Sequence, residues 1–164
     1  MKREKLVLGW REWASLDDLN IKKIKVKVDT GARTSALHAN NLKIIKRGAK
    51  QFVEFDLKPL QDGGRTVHCR APLVGQKTVK SSTGTSTVRP VIETAIHIGE
   101  YRWKIEVTLV NRDIMGFRML LGRQAMRGNF LVDPGKSFVL GHGDMKREKS
   151  TIQLERKKPV SYTH

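Results

Sequence analysis

At 164 residues and 38% hydrophobic content, the chain is long enough for one domain with a proper core. Thirty-two Lys and Arg against sixteen Asp and Glu give a net charge of +16. That balance favours an acidic partner (nucleic acid, ribosome, anionic membrane surface or acidic polypeptide) and says nothing about fold. One cysteine, Cys69, excludes an internal disulfide and suits a reducing compartment, and no apolar run approaches the roughly 20 residues of a membrane helix.

The N-terminal MKREKLVLGW has no long apolar core and no small-residue cleavage site, so no signal peptide is expected and the cytoplasm is the expected compartment. Leu6–Trp10 reads as a short strand, and Trp13–Leu19 as polar and turn-like. Ile24, Val26 and Val28 then alternate with Lys23, Lys25 and Lys27, the period of a half-buried strand. This strand ends in Asp29-Thr30-Gly31. A carboxylate at a strand-to-loop transition has a fixed backbone and oxygens open to a cleft. Thr30 supplies a hydroxyl, and Gly31 permits a tight turn. Taken alone, such a tripeptide is more often a turn closed by its own Asp side chain than an active site.

Ser35–Asn40 is expected as a short turn of helix, and Leu42–Ile45 and Phe52–Leu57 as strands. Gln61-Asp62-Gly63-Gly64 is a strong turn, and Thr66–Ala71 the returning strand of a hairpin. Thr78–Lys80 and Thr87–Ile92 flank the small polar tip Ser81–Ser86, which predicts a projecting hairpin with Pro90 on an edge. Ile96–Ile98 and Trp103–Val110 form a further hairpin. Met119-Leu120-Leu121 is a short buried strand, with one helical turn at Gln124–Arg127. Phe130–Val132 and Ser137–Leu140 read as a last hairpin around Asp133-Pro134-Gly135. Residues 146–164, with six Lys or Arg and two Glu, read as a basic tail with an added strand at Thr151–Leu154, which leaves 1–145 as the domain. Many short strands and almost no helix predict an all-β barrel or sandwich.

Two motifs stand in order, Val26–Ala32 (VKVDTGA) and Met119–Arg123 (MLLGR). Together they are similar to the two signatures of the retropepsins, the aspartic peptidases of retroviral type. Asp29–Ala39 (DTGARTSALHA) and Asn111–Arg123 (NRDIMGFRMLLGR) further resemble a bacterial group of retropepsin-like aspartic endopeptidases found beside RimK-type glutamate ligases. The resemblance covers roughly Leu6 to Leu140 and implies a closed β-barrel, with the second motif packed beneath the Asp-Thr-Gly loop and Ser81–Ser86 as a flap. It implies Asp29, Thr30 and Gly31 as catalytic residues, with the flap residues Ser82, Thr83 and Gly84 on the substrate side; Arg89 is expected there too, as is Arg33, which departs from the retroviral pattern and whose charge so close to Asp29 favours acidic substrate groups.

The chemistry needs two carboxyls, because one Asp cannot both activate a water and protonate the leaving group. Only one Asp-Thr-Gly is present, and Pro134 removes the hydroxyl and amide from the second Asp-x-Gly, so the resemblance implies a homodimer whose dyad is Asp29 and its symmetry mate. Its implied substrate is an acidic polypeptide such as a glutamate-extended ribosomal protein, with nucleic acid only as part of the ribosome and no membrane partner. The group is often labelled as ATP-dependent zinc proteases. The chain has no H-E-x-x-H, its five His are scattered, and Gly135-Lys136-Ser137 follows Phe130 where a phosphate loop needs Gly, so no metal and no cofactor is expected. The alternative is a non-catalytic basic β-domain that binds ribosome or RNA, stacking bases on Trp10, Trp13 or Trp103.

Overall fold

The computed structural model describes residues 4–60, 64–80, 83–111, 116–141 and 152–154. Its elements in chain order are β1 (Leu6–Leu16), β2 (Ile21–Val28), β3 (Ser35–His38), β4 (Asn40–Arg47), β5 (Lys50–Leu57), β6 (Val67–Lys80), β7 (Ser86–Ile98), β8 (Tyr101–Val110), β9 (Met119–Leu121), the single-turn helix α1 (Arg123–Met126), β10 (Phe130–Ser137) and β11 (Ile152–Gln153). The fold is all-β, as the sequence predicts.

The strands form one sheet in the order β10-β1-β2-β9-β3-β8-β7-β6-β5-β4. A β1–β7 pairing at Ser15 and His97 closes its central part into a ring. The core fills this ring and continues beneath β5 and the first half of β6, where Val53, Phe55, Leu57, Cys69 and Ala71 join the same buried cluster; alternation along the strands directs side chains into it. On β8, Trp103, Ile105, Val107 and Leu109 are buried while Lys104 and Glu106 are exposed. On β2, Ile24, Val26 and Val28 face the core and the lysines face out. β4 and β5 extend the sheet as an arm beyond the ring, joined by the first half of β6. Met119, Leu120 and Leu121 are 0, 9 and 0% exposed, which places β9 inside the core directly beside β2.

Three local expectations are corrected. Ser35–His38 is a strand, not a helical turn. It pairs parallel with β8 on one edge and antiparallel with β9 on the other, and so few residues cannot offset the nucleation cost of a helix. Trp13–Leu16 continues β1 instead of turning. Ala14, Ser15 and Leu16 are buried there, and only Asp17–Leu19 form a tight turn.

The last hairpin is instead the single strand β10, parallel to β1. Its register runs from Leu6 opposite Phe130 to Gly9 opposite Asp133, then resumes at Arg11 opposite Ser137. The bulge absorbs Pro134, tolerable because β10 is an edge strand. Gly9 is required there, since a Cβ would stand 2.3 Å from the Lys136 carbonyl oxygen. Near the C-terminus, Ile152 and Gln153 pair with Tyr101 and Arg102, and Leu154 is buried in the core.

Candidate active site

Val28 is buried and the chain leaves the core at Asp29. The Asp29 amide donates to the Leu121 carbonyl at 2.9 Å, one step beyond the β2–β9 ladder. Asp29 Oδ1 accepts the Gly31 amide at 2.9 Å, and the Asp29 carbonyl accepts the Ala32 amide at 3.3 Å. Asp29 is half-buried, with Thr30 and Gly31 exposed beside it. Among the described residues no hydrogen bond reaches its Oδ2. Among the described residues, one oxygen therefore fixes the side chain and the other carries no hydrogen bond.

The second motif braces this loop from below. The Arg123 and Gln124 amides at the start of α1 donate to the Ala32 and Arg33 carbonyls at 2.8 and 3.1 Å. The Arg123 guanidinium donates to the Thr30 and Gly31 carbonyls at 3.0 and 3.2 Å. The Gly122 amide donates to Ser35 Oγ at 3.0 Å. A Cβ on Gly122 would stand 2.5 Å from the Thr34 carbonyl oxygen and 2.6 Å from its carbon, so only glycine lets the two backbones pass. The Leu-Gly-Arg run thus works as a clamp on the carboxylate loop.

Of the residues placed on the substrate side, Arg33 is exposed on the Asp29 loop. Thr83 and Gly84 lie at the tip of the β6–β7 hairpin, with Gly84 at φ 85, and Ser82 falls outside the described residues. Arg89 pairs across the hairpin with Lys77 and lines a groove of about 390 Å³ together with Leu42, Val79, Thr87, Pro90 and Leu109. No residue of the Asp29 loop lines that groove.

Lys77 was missed by sequence reasoning. Its ammonium donates to Thr34 Oγ1 at 2.9 Å, so the hairpin touches the loop through β6. A cavity of about 260 Å³ lies at this junction, lined by Thr34, Ser35, Gln76, Lys77, Val91 and Gln124. A second hollow of about 300 Å³ is lined by Thr30, Arg123, Met126, Arg127 and Phe130. Ser35 was also missed. The Thr34-Ser35 pair directly after the motif was its only signal.

The other chemically active side chains serve elsewhere. Cys69 is buried, its thiol pointing at the Leu19 and Val67 carbonyls, and burial, helped by the Asp56 charge, pushes it up to about 12. On the outer arm, hydrogen bonds from Asn41 and then His68 hold the Asp56 carboxyl below its ordinary value. Trp103 is buried and its indole N–H donates to the Ala125 carbonyl, so it offers no stacking surface. Among the described residues, no three His, Cys, Asp or Glu side chains converge where they could hold a metal ion.

Comparisons with known proteins bear on this site. A model of the RimB-like family, described as the retropepsin-like aspartic endopeptidase RimB, matches residues 7–142. A probable alpha-L-glutamate ligase of Shewanella pealeana is 43% identical over 151 residues, 91% of this chain and 33% of that protein. A probable alpha-L-glutamate ligase of Desulfotalea psychrophila is 43% identical over 138 residues, 84% of this chain and 30% of that protein. The chain therefore spans about a third of the length of the curated relatives it matches. The crystal structure of a protein of unknown function from Legionella pneumophila subsp. pneumophila superposes with a TM-score of 0.69 at 30% identity, covering 84% of this chain and 99% of that one. The matched region holds both the Asp29 loop and its Leu-Gly-Arg clamp, and the chain belongs to the RimB-like family of retropepsin-like aspartic endopeptidases.

Proposed function

We propose that the protein is an aspartic endopeptidase that works as a two-fold dimer on glutamate-extended polypeptides. The observation that carries this reading is Asp29 itself, held at a strand end with one oxygen bound by the Gly31 amide and its loop clamped by Gly122 and Arg123. Such rigidity is what a carboxylate needs to act at a fixed place.

Two copies of Asp29 facing each other share one proton, because two close carboxylates cannot both ionise. The ionised carboxylate takes a proton from water while the water oxygen bonds to the scissile carbonyl carbon. The protonated carboxyl hydrogen-bonds the carbonyl oxygen. A proton then passes to the amide nitrogen, the C–N bond breaks, and a carboxylic acid and an amine leave.

The net charge of +16 suits a polyanionic substrate, which it would draw toward the site. The relatives named as probable glutamate ligases support the substrate class. In them a region like this one shares a polypeptide with about twice its length of further sequence, and a peptidase joined to a glutamate-adding enzyme has its natural substrate in that enzyme's product.

The test is incubation with glutamate-extended and unmodified acceptor protein, read by intact mass, with Asp29→Asn beside wild type. The variant keeps the shape but removes both carboxylates of the dyad, so turnover is expected to fall at least about 10³-fold with folding retained. Normal cleavage by the Asn variant, with chelators stopping the wild type, would show a different chemistry. Sedimentation that finds a monomer even with substrate present would exclude the dyad; a monomer in the free state alone would not, because substrate can drive association.

A further inference from the structure

The outward face of β1 and β2 carries a ring of alternating contacts. Trp13 stacks on Phe138 with centroids 5.6 Å apart and planes within 16°. Lys25 lies over both Trp13 and Phe117, at 5.7 and 5.8 Å. Phe117 meets Trp10 edge-on at 6.0 Å. Arg11 then lies over Trp10 and Phe138, at 4.6 and 4.9 Å, and closes the circuit. All four rings are only half-buried.

Clustered aromatic side chains on an outer sheet face call for an explanation that single ones do not. Their arrangement is also held at a cost. Phe138 sits at φ 53, the left-handed region that a bulky residue rarely adopts, tied there by its amide to the Arg11 carbonyl at 2.9 Å. Among the described residues of β1 and β2, the charge on this face has one sign. Lys23 lies 4.4 Å from the Trp13 centroid, and Lys27 projects from the same side of β2. Glu12, the one acidic residue of the two strands, is fully buried and accepts the Gly9, Val139 and Leu140 amides.

We propose that this face binds single-stranded RNA, independently of the peptidase site. A base plane takes the place of an ammonium group over Trp13, and the displaced lysine turns to a phosphate. Rings that accept flat groups, set among cations that track a phosphate backbone, are what single-stranded nucleic acid requires. An acidic peptide would use the lysines and leave four rings without a role. The Ser137 hydroxyl, 3.2 Å from Arg11 Nε, adds a partner for the ribose 2′-hydroxyl that DNA lacks.

The experiment is fluorescence anisotropy with a labelled RNA of about 12 nucleotides, within the usual range for one such domain. It is repeated with DNA of the same sequence and with oligoglutamate of matched charge, across a salt series. RNA is expected to bind most tightly and to quench tryptophan emission. The triple change Lys23→Gln, Lys25→Gln and Lys27→Gln should lower the slope of log affinity against log salt by about 2, at roughly 0.7 per phosphate contact. Trp13→Leu should weaken binding about tenfold. The lysine variants sit on the solvent side of β2, so they keep the test valid if Trp13→Leu folds poorly. No binding at about 50 mM salt, equal affinity for DNA, preference for oligoglutamate, or an unchanged slope in the triple variant would each overturn the proposal.

Discussion

Gly122→Ala tests whether the Leu-Gly-Arg run is a clamp. Gly122 has φ −93 and ψ 175, a conformation open to any residue, so the substitution carries no backbone penalty of its own. The penalty is steric. The new Cβ would lie 2.5 Å from the Thr34 oxygen, and ordinary contact begins near 3.4 Å, so that backbone must retreat by about 0.9 Å. Retreat is opposed on both sides, because Ala32 and Arg33 are bonded to α1 and Ser35 Oγ to Gly122 itself. Overpacking of this kind costs about 1–3 kcal/mol. The loop that must move also carries Asp29, five residues before Thr34, and a shift near 1 Å at a reacting group costs about 10²-fold in rate. Urea unfolding and turnover are measured together, with Gly75→Ala as control, since a Cβ at Gly75 meets nothing within 4 Å. Gly122→Ala is expected to lose about 2 kcal/mol and about 10²-fold in turnover, and Gly75→Ala less than about 0.5 kcal/mol. If the two variants behave alike, the Thr34 backbone yields freely and the clamp does not exist.

Arg123→Lys replaces a planar, pre-organised guanidinium, whose Nη1 reaches both the Thr30 and Gly31 carbonyls, with an ammonium on a flexible stem. Turnover should drop about tenfold while the melting temperature moves little, since the lost bonds lie at the surface; an equal loss in both would make Arg123 a stability residue. Glu12→Gln sets an amide NH₂ against backbone amides that now point at a carboxylate. A loss of about 1–3 kcal/mol is expected in urea, and an unchanged midpoint would mean that Glu12 is dispensable to the β1–β10 corner. Cys69 has the opposite sign from an ordinary carboxylate. Its folded value, about 12, lies above its ordinary 9.0, so its contribution is complete below pH 9 and lost as pH rises toward 12. The stability of wild type relative to Cys69→Ala should therefore fall by more than about 1 kcal/mol between pH 9 and about 10.5, at up to about 1.4 kcal/mol per unit. A constant difference would show that the thiolate is solvated in the fold.

What could be read from the sequence is what local periodicity and motif chemistry encode. The lysine-interleaved strand before Asp29, the buried Met119–Leu121 strand and the hairpin of β7 and β8 all lie where alternation puts them. Trp103 shows the limit of motif chemistry alone: offered as a surface for stacking bases, it shares a face with Ile105, Val107 and Leu109, and that face is the core. What escaped depends on partners far along the chain. Ser35–His38 is too short to announce a strand, and only β8 and β9, more than seventy residues later, make it one. β10 looks like a hairpin until β1, at the other end of the chain, is laid beside it. Lys77 carries no local mark of its contact with Thr34, because that contact is created by the position of the β6–β7 hairpin over the loop.

The chain contains its own control for the meaning of Asp-x-Gly. At Asp29 and again at Asp133 the carboxylate accepts the amide two residues on, at 2.9 and 3.0 Å. The side-chain turn is therefore present in both, and being a turn does not compete with being a catalytic loop. The difference lies in what surrounds each turn. Around Asp133 the middle residue is Pro134, which has no amide to give, and the segment bulges along an exposed sheet edge opposite Gly9. Around Asp29 the middle residue is Thr30, whose carbonyl is held by Arg123, and the preceding amide is held by the core strand β9. One turn is free to follow the edge of the sheet, while the other is fixed to the centre of the molecule on two sides. In the proposed dimer, an Asp that meets its copy across a two-fold axis needs the second kind, because any looseness in one loop is repeated in the other.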